Sequence, residues 1–219
     1  MLRKIFSQNG FLWKGLNKIT DILFLSTLWF LLCLLIIPIG PATTALYDAV
    51  AHGLRRKEPE IYKRFFNTFK REFKTAFFSG LLWGVIIFIV ILFVRYFLAL
   101  GETSRGAFAV GIAYYVALFV PLGTACWVFP ILSRFTFDFL SLNKTALKFT
   151  FTYLPRTLIL VLLTIEVLQW CLNDIFPFFF MPALTILLWT LFIEPVFARF
   201  EPKAEEEPDI DDGWPTNQA

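Results

Sequence analysis

The chain has 219 residues, of which 58% are hydrophobic, including 28 Phe and 7 Trp, and its formal net charge is +3. With a mean hydropathy of +0.67, it is too apolar for one soluble core of this size. This excludes an ordinary soluble domain and predicts an integral membrane protein. Long apolar runs without alternation exclude a membrane β-barrel. The predicted fold class is therefore an all-α polytopic bundle, because helices satisfy their backbone hydrogen bonds inside lipid.

The charge divides the chain into two regions. Residues 1–200 carry 19 Lys and Arg against 10 Asp and Glu, whereas residues 201–219 carry one basic residue against seven acidic ones. We predict a single transmembrane domain over 1–200 and a disordered acidic cytoplasmic tail over 201–219. The basic body suits anionic lipid at a membrane surface, and no nucleic-acid-binding motif is present. The three cysteines are odd in number and lie in apolar runs, so neither a disulfide nor a metal framework is expected.

The first apolar run, Ile22–Ile37, reaches the length of a membrane crossing if its helix begins near Asn17. It lacks a small-residue cleavage site, so we expect an uncleaved span. Basic residues precede this run and also follow the next apolar segment, and Lys and Arg concentrate on the cytoplasmic side of a membrane. We therefore predict an outer turn at Pro38–Pro41 and a short return helix over Ala42–Leu54, with Pro41 in its first turn.

Four longer apolar segments complete the predicted bundle: Thr75–Leu100, Ala107–Leu132, Thr157–Leu172 and Phe178–Phe200. Together with the first two segments they give six passes, the second of them short, with both termini in the cytoplasm. Five passes with an outer N-terminus is the alternative.

Between the second and third passes, Glu60–Lys74 has the pattern of an amphipathic helix. The apolar face is formed by residues spaced by four: Ile61, Phe65, Phe69, Phe73 and Phe77. The opposite face is basic: Lys63, Arg64, Lys70, Arg71 and Lys74. We predict that this helix lies in the headgroup plane of the cytoplasmic surface, available to anionic lipid or a partner. A weaker copy over Arg134–Arg156, offset by about 82 residues, indicates a repeated unit of returning span, surface helix and outgoing span. Two similar loops without a repeat is the alternative.

No known catalytic arrangement is present in the sequence. It has no phosphate-binding loop, no zinc-protease motif, no nucleophile elbow and a single histidine. We therefore expect neither an enzyme nor a bound cofactor. His52 follows Asp48 by one helical turn, so the two side chains can pair. The pair would be either proton-linked or ligand-contacting, or a structural hydrogen bond near the inner interface.

Charged side chains at membrane depth are costly, so each is a functional candidate. Glu166, near the centre of the fifth span, could bind a polar substrate, accept a proton or pair with Arg95. The alternative is a structural ion pair or a buried protonated acid. We expect Glu166 to face a protein interior, an occupied cavity or a partner subunit. Arg95 can instead snorkel to the outer interface, and Glu194 is expected to contact the basic inner surface.

Three stretches carry a family resemblance: "GPATTALYDAV" (40–50), "KRFFNTFKREFKTA" (63–76) and "YLPRTLIL" (153–160). On these, the chain resembles the YesL-like family of small bacterial integral membrane proteins over most of residues 1–200. The resemblance implies a place in the bacterial plasma membrane and genes adjacent to carbohydrate ABC importers, and it implies no catalytic residues.

From this resemblance and the lack of catalytic motifs, the first functional hypothesis is a non-enzymatic accessory subunit. It would pack against the permease subunits of a carbohydrate ABC importer and assist sugar or oligosaccharide uptake. The alternative is a small-solute transporter or substrate-capturing subunit, with Glu166 at its site.

Overall fold

The computed structural model describes residues 11–35, 37–55, 60–101 and 104–200, and it describes the side chains of these residues except 11–17, 54 and 55. In these ranges all regular structure is helical, so the predicted all-α fold is confirmed. The predicted acidic tail, 201–219, lies outside the described residues.

In chain order, the helices are α1 (Phe11–Cys33), α2 (Ile39–Ala49), a π-helical continuation of α2 (Val50–Arg55), α3 (Ile61–Arg71), α4 (Phe73–Leu100), α5 (Arg105–Ala117), α6 (Phe119–Arg134), α7 (Phe139–Thr152), α8 (Leu154–Asn173), a short 3₁₀ helix (Phe176–Phe179) and α9 (Met181–Phe197).

Among the described residues, three segments are long and apolar enough to cross a membrane: α4, the continuous pair α5 and α6, and α8. Helix α9 is also apolar but has only 17 residues. The chain itself buries 56% of the most apolar part of α5–α6, but only 22% of that of α8 and 11% of that of α4. Helices α4 and α8 therefore lie at the periphery of the bundle.

The turn before α2 lies earlier than the predicted Pro38–Pro41. Leu34 and Leu35 already form a turn, and α2 begins at Ile39, so Gly40 and Pro41 are helical. Pro41 does lie in the first turn, as predicted, where its missing N–H breaks no helical hydrogen bond. A Cβ on Gly40 would come within 2.4 Å of the Ala76 carbonyl oxygen. The glycine is therefore explained by the close crossing of α2 and α4 and not by a turn.

The amphipathic segment Glu60–Lys74 is divided between two helices. Helix α3 ends at Arg71, and Phe73 begins α4, because the backbone of Glu72 leaves helical geometry at φ −95° and ψ 6°. The aromatic row continues across this break: the ring centroids of residues 65 and 69, 69 and 73, and 73 and 77 are 6.5, 5.4 and 6.3 Å apart. Phe65 is fully buried, whereas Phe66 is 44% exposed.

Side-chain hydrogen bonds hold the connecting helices α3 and α7 to the bundle. Tyr62 on α3 donates to Asp21 Oδ1 on α1 at 2.7 Å. Burial, followed by this hydrogen bond, raises the pKa of Tyr62 to about 12, so the hydroxyl stays a donor. On α7, Asn143 accepts from Trp83 Nε1 at 2.7 Å and donates to the Ser79 hydroxyl at 3.2 Å. Both connecting helices are therefore fixed by specific polar contacts.

The helix order predicted for the repeat occurs twice, as α2–α3–α4 and as α6–α7–α8. In each unit a single residue, Glu72 or Tyr153, separates the connecting helix from the outgoing one. A glycine on the first helix also packs against the outgoing helix in both units. A Cβ on Gly123 would come within 2.6 Å of Thr157 Cγ2, as one on Gly40 would meet α4. The two units therefore share both helix order and a crossing contact.

The apolar core lies between α2, α6, α8 and α9, with Trp127 of α6 fully buried at its centre. The Trp127 indole donates to Thr157 Oγ1 on α8 at 2.9 Å. Next to this core, charged residues near the ends of α2 and α6 line a common cavity.

Candidate functional site

Charged side chains gather where α2 and α6 end beside α3. A cavity of about 330 Å³ is lined by six ionisable residues: Asp48, His52, Arg64, Arg71, Glu72 and Arg134. We call it the charged cavity. Its floor includes the π-helical end of α2, and π-helical turns are frequent at functional sites.

Asp48 is the centre of this cluster and is only 3% exposed. Its Oδ1 lies 3.0 Å from His52 Nδ1, so the predicted contact between these residues is present. Its Oδ2 accepts from Arg64 Nε at 3.0 Å and from the Thr68 hydroxyl at 2.6 Å. Charge-assisted hydrogen bonds of this kind are about twice as strong as neutral ones. The carboxylate is therefore satisfied inside the protein, and a functional role for the Asp48–His52 pair stays a prediction.

A second buried ion pair joins α6 to α9. The Arg134 guanidinium donates to the Glu194 carboxylate, and both side chains are 9% exposed. The Tyr47 hydroxyl of α2 donates to Glu194 Oε1 at 3.3 Å. The predicted contact between Glu194 and the basic inner residues is thus present, and it connects three helices.

The third pair is more exposed. Arg71 Nε donates to Glu72 Oε1 at 2.6 Å, and the Arg71 side chain is 58% exposed. Each arginine of the cavity therefore contacts a carboxylate, so the cavity is polar and not strongly basic. It can hydrogen-bond a small polar group, and among the described residues no set of three ligands could hold a metal ion.

Glu166 lies elsewhere, on the exposed side of α8. Within the described part of the chain it makes neither a hydrogen bond nor an ion pair, and Arg95 is exposed on α4 without contacting it. The structure therefore places Glu166 neither in the interior of this chain nor among the lining residues of the two cavities described here. The third expected placement, against a partner subunit, stays a prediction.

Five exposed residues share the face of α8 that carries Glu166. They are spaced by three or four positions: Leu158, Leu162, Glu166, Gln169 and Asn173. We call this the α8 outer face. It combines two leucines with a carboxylate and two amides in a helix that is apolar on average. Polar groups of this kind on a membrane helix can hydrogen-bond to a neighbouring helix.

A second cavity, of about 260 Å³, is lined almost entirely by carbon, from residues of α1, α2, α4, α6, α8, the 3₁₀ helix and α9. We call it the apolar cavity. No catalytic residue was predicted there, and it offers few partners for a hydroxyl-rich solute.

Sequence reasoning missed Arg64 and Thr68 as partners of Asp48. A signal was available: the two residues lie four apart on α3, and a buried acid requires donors. The pairing of Arg134 with Glu194 spans 60 positions, and only the general expectation for Glu194 pointed towards it.

Comparison with known proteins is informative for the first part of the chain. A family model described as "Protein of unknown function, DUF624" matches residues 22–94. No curated protein and no solved structure matches the chain. The matched range contains Asp48, His52 and Arg64, whereas Arg134, Glu166 and Glu194 lie beyond it. DUF624 is the family to which YesL-like proteins belong, so the resemblance carried by "GPATTALYDAV" is confirmed by a family match over residues 22–94.

Proposed function

We propose that the chain is a non-enzymatic subunit of a carbohydrate ABC importer, which packs through the α8 outer face against a permease subunit and assists sugar or oligosaccharide uptake. The observation that carries this proposal is the exposed carboxylate of Glu166 in the middle of an apolar helix.

The position of Glu166 along α8 makes contact between its carboxylate and lipid energetically unfavourable. It is the thirteenth of 20 residues, so at 1.5 Å per residue it lies about 18 Å from the start of the helix and about 10 Å from its end. A carboxylate at the centre of a span costs about 2.5–3.5 kcal/mol on insertion scales. A polar group on a partner helix would offset that cost.

Gln169 adds a second polar group one turn further along the same exposed face. Hydrogen bonds between membrane helices contribute on average about 0.6 kcal/mol each. Hydrogen bonds from Glu166 and Gln169 would therefore fit a partner helix that binds with modest affinity. Helix α4, the other peripheral span, is the more exposed of the two, but its Arg95 lies near a helix end and can reach the interface.

The nature of the partner rests on the family resemblance, which places YesL-like genes beside carbohydrate importers. The apolar cavity supports an accessory role over conduction, because a sugar in it would leave its hydroxyls without partners. The charged cavity favours the second candidate, a small-solute transporter or substrate-capturing subunit, because it holds six ionisable side chains.

The proposed topology has six passes in the bacterial plasma membrane and both termini in the cytoplasm. Helix α2 with its π-helical end has 17 residues, or about 25 Å, which is short for a hydrocarbon core of about 30 Å. Helices α3 and α7 and the charged cavity would then face the cytoplasm, where the exposed Lys70, Arg71 and Lys74 can meet anionic lipid.

Topology can be tested by labelling in a variant without its natural cysteines. A cysteine at Leu35, which is 66% exposed, should react with an impermeant maleimide in intact cells, whereas one at Lys144 should react only after lysis. A cysteine at Leu35 that reacts only after lysis, as the five-pass alternative requires, rules out six passes.

The partner is tested by affinity purification from native membranes in mild detergent. The natural chain should retain the permease subunits encoded beside it, and Glu166→Gln should reduce that recovery about fivefold, the loss expected for about 1 kcal/mol. Arg95→Gln, which changes an exposed charge on the other peripheral span, is the matched control. Equal recovery by all three chains, or no permease with any, contradicts the proposal.

A further inference from the structure

Four basic side chains on and around α7 have no acidic partner among the described residues. They are Lys144 and Lys148 of α7, Arg156 of α8 and Arg199, two residues beyond α9. None of the four makes an ion pair with a described residue. The two lysines lie one helical turn apart and both are exposed. Their charges are therefore open to an acid from outside the described residues.

Aromatic contacts place the end of the described chain against α7. The centroid of the Phe200 ring lies 5.4 Å from that of Phe149, and the Phe149 centroid lies 5.5 Å from that of Tyr153. The Arg156 guanidinium lies over the Tyr153 ring, 5.7 Å from its centroid. Because Lys148 directly precedes Phe149, the acidic tail begins beside these basic residues.

The acidic tail has the charge and the length needed to cover the two lysines. Seven of its residues are acidic and one is basic, and three consecutive glutamates occupy positions 205–207. An extended chain of five to seven residues carries them about 17–25 Å beyond Phe200. Lys144 and Lys148 lie on the side of α7 away from its buried residues, and half the circumference of a helix is about 16–19 Å. The glutamates can therefore reach both lysines around the helix.

We propose that Glu205, Glu206 and Glu207 of the acidic tail bind Lys144 and Lys148, so that the chain covers its own basic surface on α7. A tether of a few residues keeps the glutamates at a high effective concentration near this surface. One exposed ion pair contributes little, but several charges that form a network contribute together. The contact requires no regular structure in the tail, and the proposal is independent of the permease partner.

The competing occupant of this surface is anionic lipid, which is attracted to lysine and arginine at a membrane surface. A phosphatidylglycerol headgroup brings one negative charge and is not attached to the chain, whereas the tail brings three adjacent carboxylates. We therefore expect the tail to keep the two lysines in neutral and in anionic membranes. The bound tail lowers the attraction of α7 for anionic lipid, while the exposed Lys70 of α3 stays available to it.

Carbodiimide cross-linking tests the contact, because this reagent joins a carboxylate to a lysine amine without a spacer. The full chain is placed in nanodiscs of phosphatidylcholine or of phosphatidylglycerol, and mass spectrometry quantifies the joined peptides. Cross-links from residues 205–207 to Lys144 and Lys148 should be about fivefold more abundant than those to Lys70, which corresponds to a preference of about 1 kcal/mol. Lys70 is the matched control because it is also an exposed lysine on a connecting helix.

Reversing the charges separates ion pairing from simple proximity. The double variant Lys144→Glu with Lys148→Glu should lose these cross-links, partly because it lacks the amines. Replacing the three glutamates at 205–207 by lysine in the same chain should restore them with the roles exchanged. Lys70→Glu with Lys74→Glu changes the net charge equally at another exposed surface and should leave the natural cross-links unchanged.

Three results would overturn the proposal. Equal cross-linking of Lys70 and the α7 lysines would show that the tail prefers neither surface. Cross-links that form in phosphatidylcholine but are lost in phosphatidylglycerol would show that lipid occupies the lysines. A charge-reversed chain that fails to cross-link would show that ion pairing does not hold the tail there.

Discussion

The charged cavity and the α8 outer face differ in how the cost of removing a carboxylate from water is offset. Asp48 and Glu72 in the cavity, and Glu194 beside it, each contact an arginine of the same chain through their carboxylates. On α8, Glu166 has no polar contact within the described residues. The first region is complete within one chain, whereas the second would be complete only with a neighbour. Breaking a pair should therefore destabilise the chain in the first region and alter only association in the second.

The largest effect is expected from breaking the ion pair between Arg134 and Glu194. Glu194→Leu leaves Arg134 buried without its carboxylate, which should lower the free energy of unfolding by about 3–5 kcal/mol. Unfolding in mixed detergent micelles measures this. The double variant Glu194→Leu with Arg134→Met should recover most of the loss, since neither charge remains. A single variant as stable as the natural chain would show that the pair contributes nothing.

The loss of the buried aromatic side chain of α3 should give the next largest effect. Phe65→Ala removes a fully buried ring and should cost about 3 kcal/mol, near the low end for buried aromatic residues. Phe66→Ala removes a neighbouring ring that is 44% exposed and should cost less than about 1 kcal/mol. Comparable losses for the two variants would mean that α3 packs by a different face.

The central acid of the cavity should matter more than the peripheral one. Asp48→Asn weakens three hydrogen bonds to a buried carboxylate and should cost about 2 kcal/mol. Glu72→Gln, whose partner Arg71 is largely exposed, should cost below about 1 kcal/mol. If the order is reversed, Asp48 is not the residue that holds α2 to α3.

The smallest effect on the isolated chain should come from Glu166→Gln. Since no described residue depends on its charge, the unfolding free energy should change by less than about 0.5 kcal/mol. The same variant should still lose permease recovery, as proposed above. A large loss of stability in purified protein would indicate that Glu166 belongs to the first region after all.

The sequence predicted features that depend on local spacing. Long apolar runs indicated an all-α membrane fold, and the four-residue separation of Asp48 and His52 indicated their contact. It could not specify which arginine each acid would meet, because Arg64 and Arg134 approach their partners through the packing of separate helices.

Two other features could not be predicted from the sequence: the roles of Gly40 and Pro41, and the direction in which Glu166 points. Gly40 and Pro41 resemble a turn because both residue types interrupt helices, yet one is needed for packing and the other is tolerated in a first turn. The exposed side of α8 has no apolar periodicity to reveal it, because a helix that meets both protein and lipid is apolar on most faces. Only the packed structure shows that Glu166 points outwards.

The contact between Gly40 and Ala76 fixes the start of α2 close to α4. A methyl group at Gly40 would lie 2.4 Å from the Ala76 oxygen, so the helix would have to move away by several tenths of an ångström. Asp48 lies eight residues further along the same helix, about 12 Å from Gly40. It accepts hydrogen bonds from Arg64 at 3.0 Å and from Thr68 at 2.6 Å, and a shift of α2 would change both distances. The position of Asp48 in the charged cavity therefore depends partly on Gly40, which does not line the cavity and lies near the opposite end of α2.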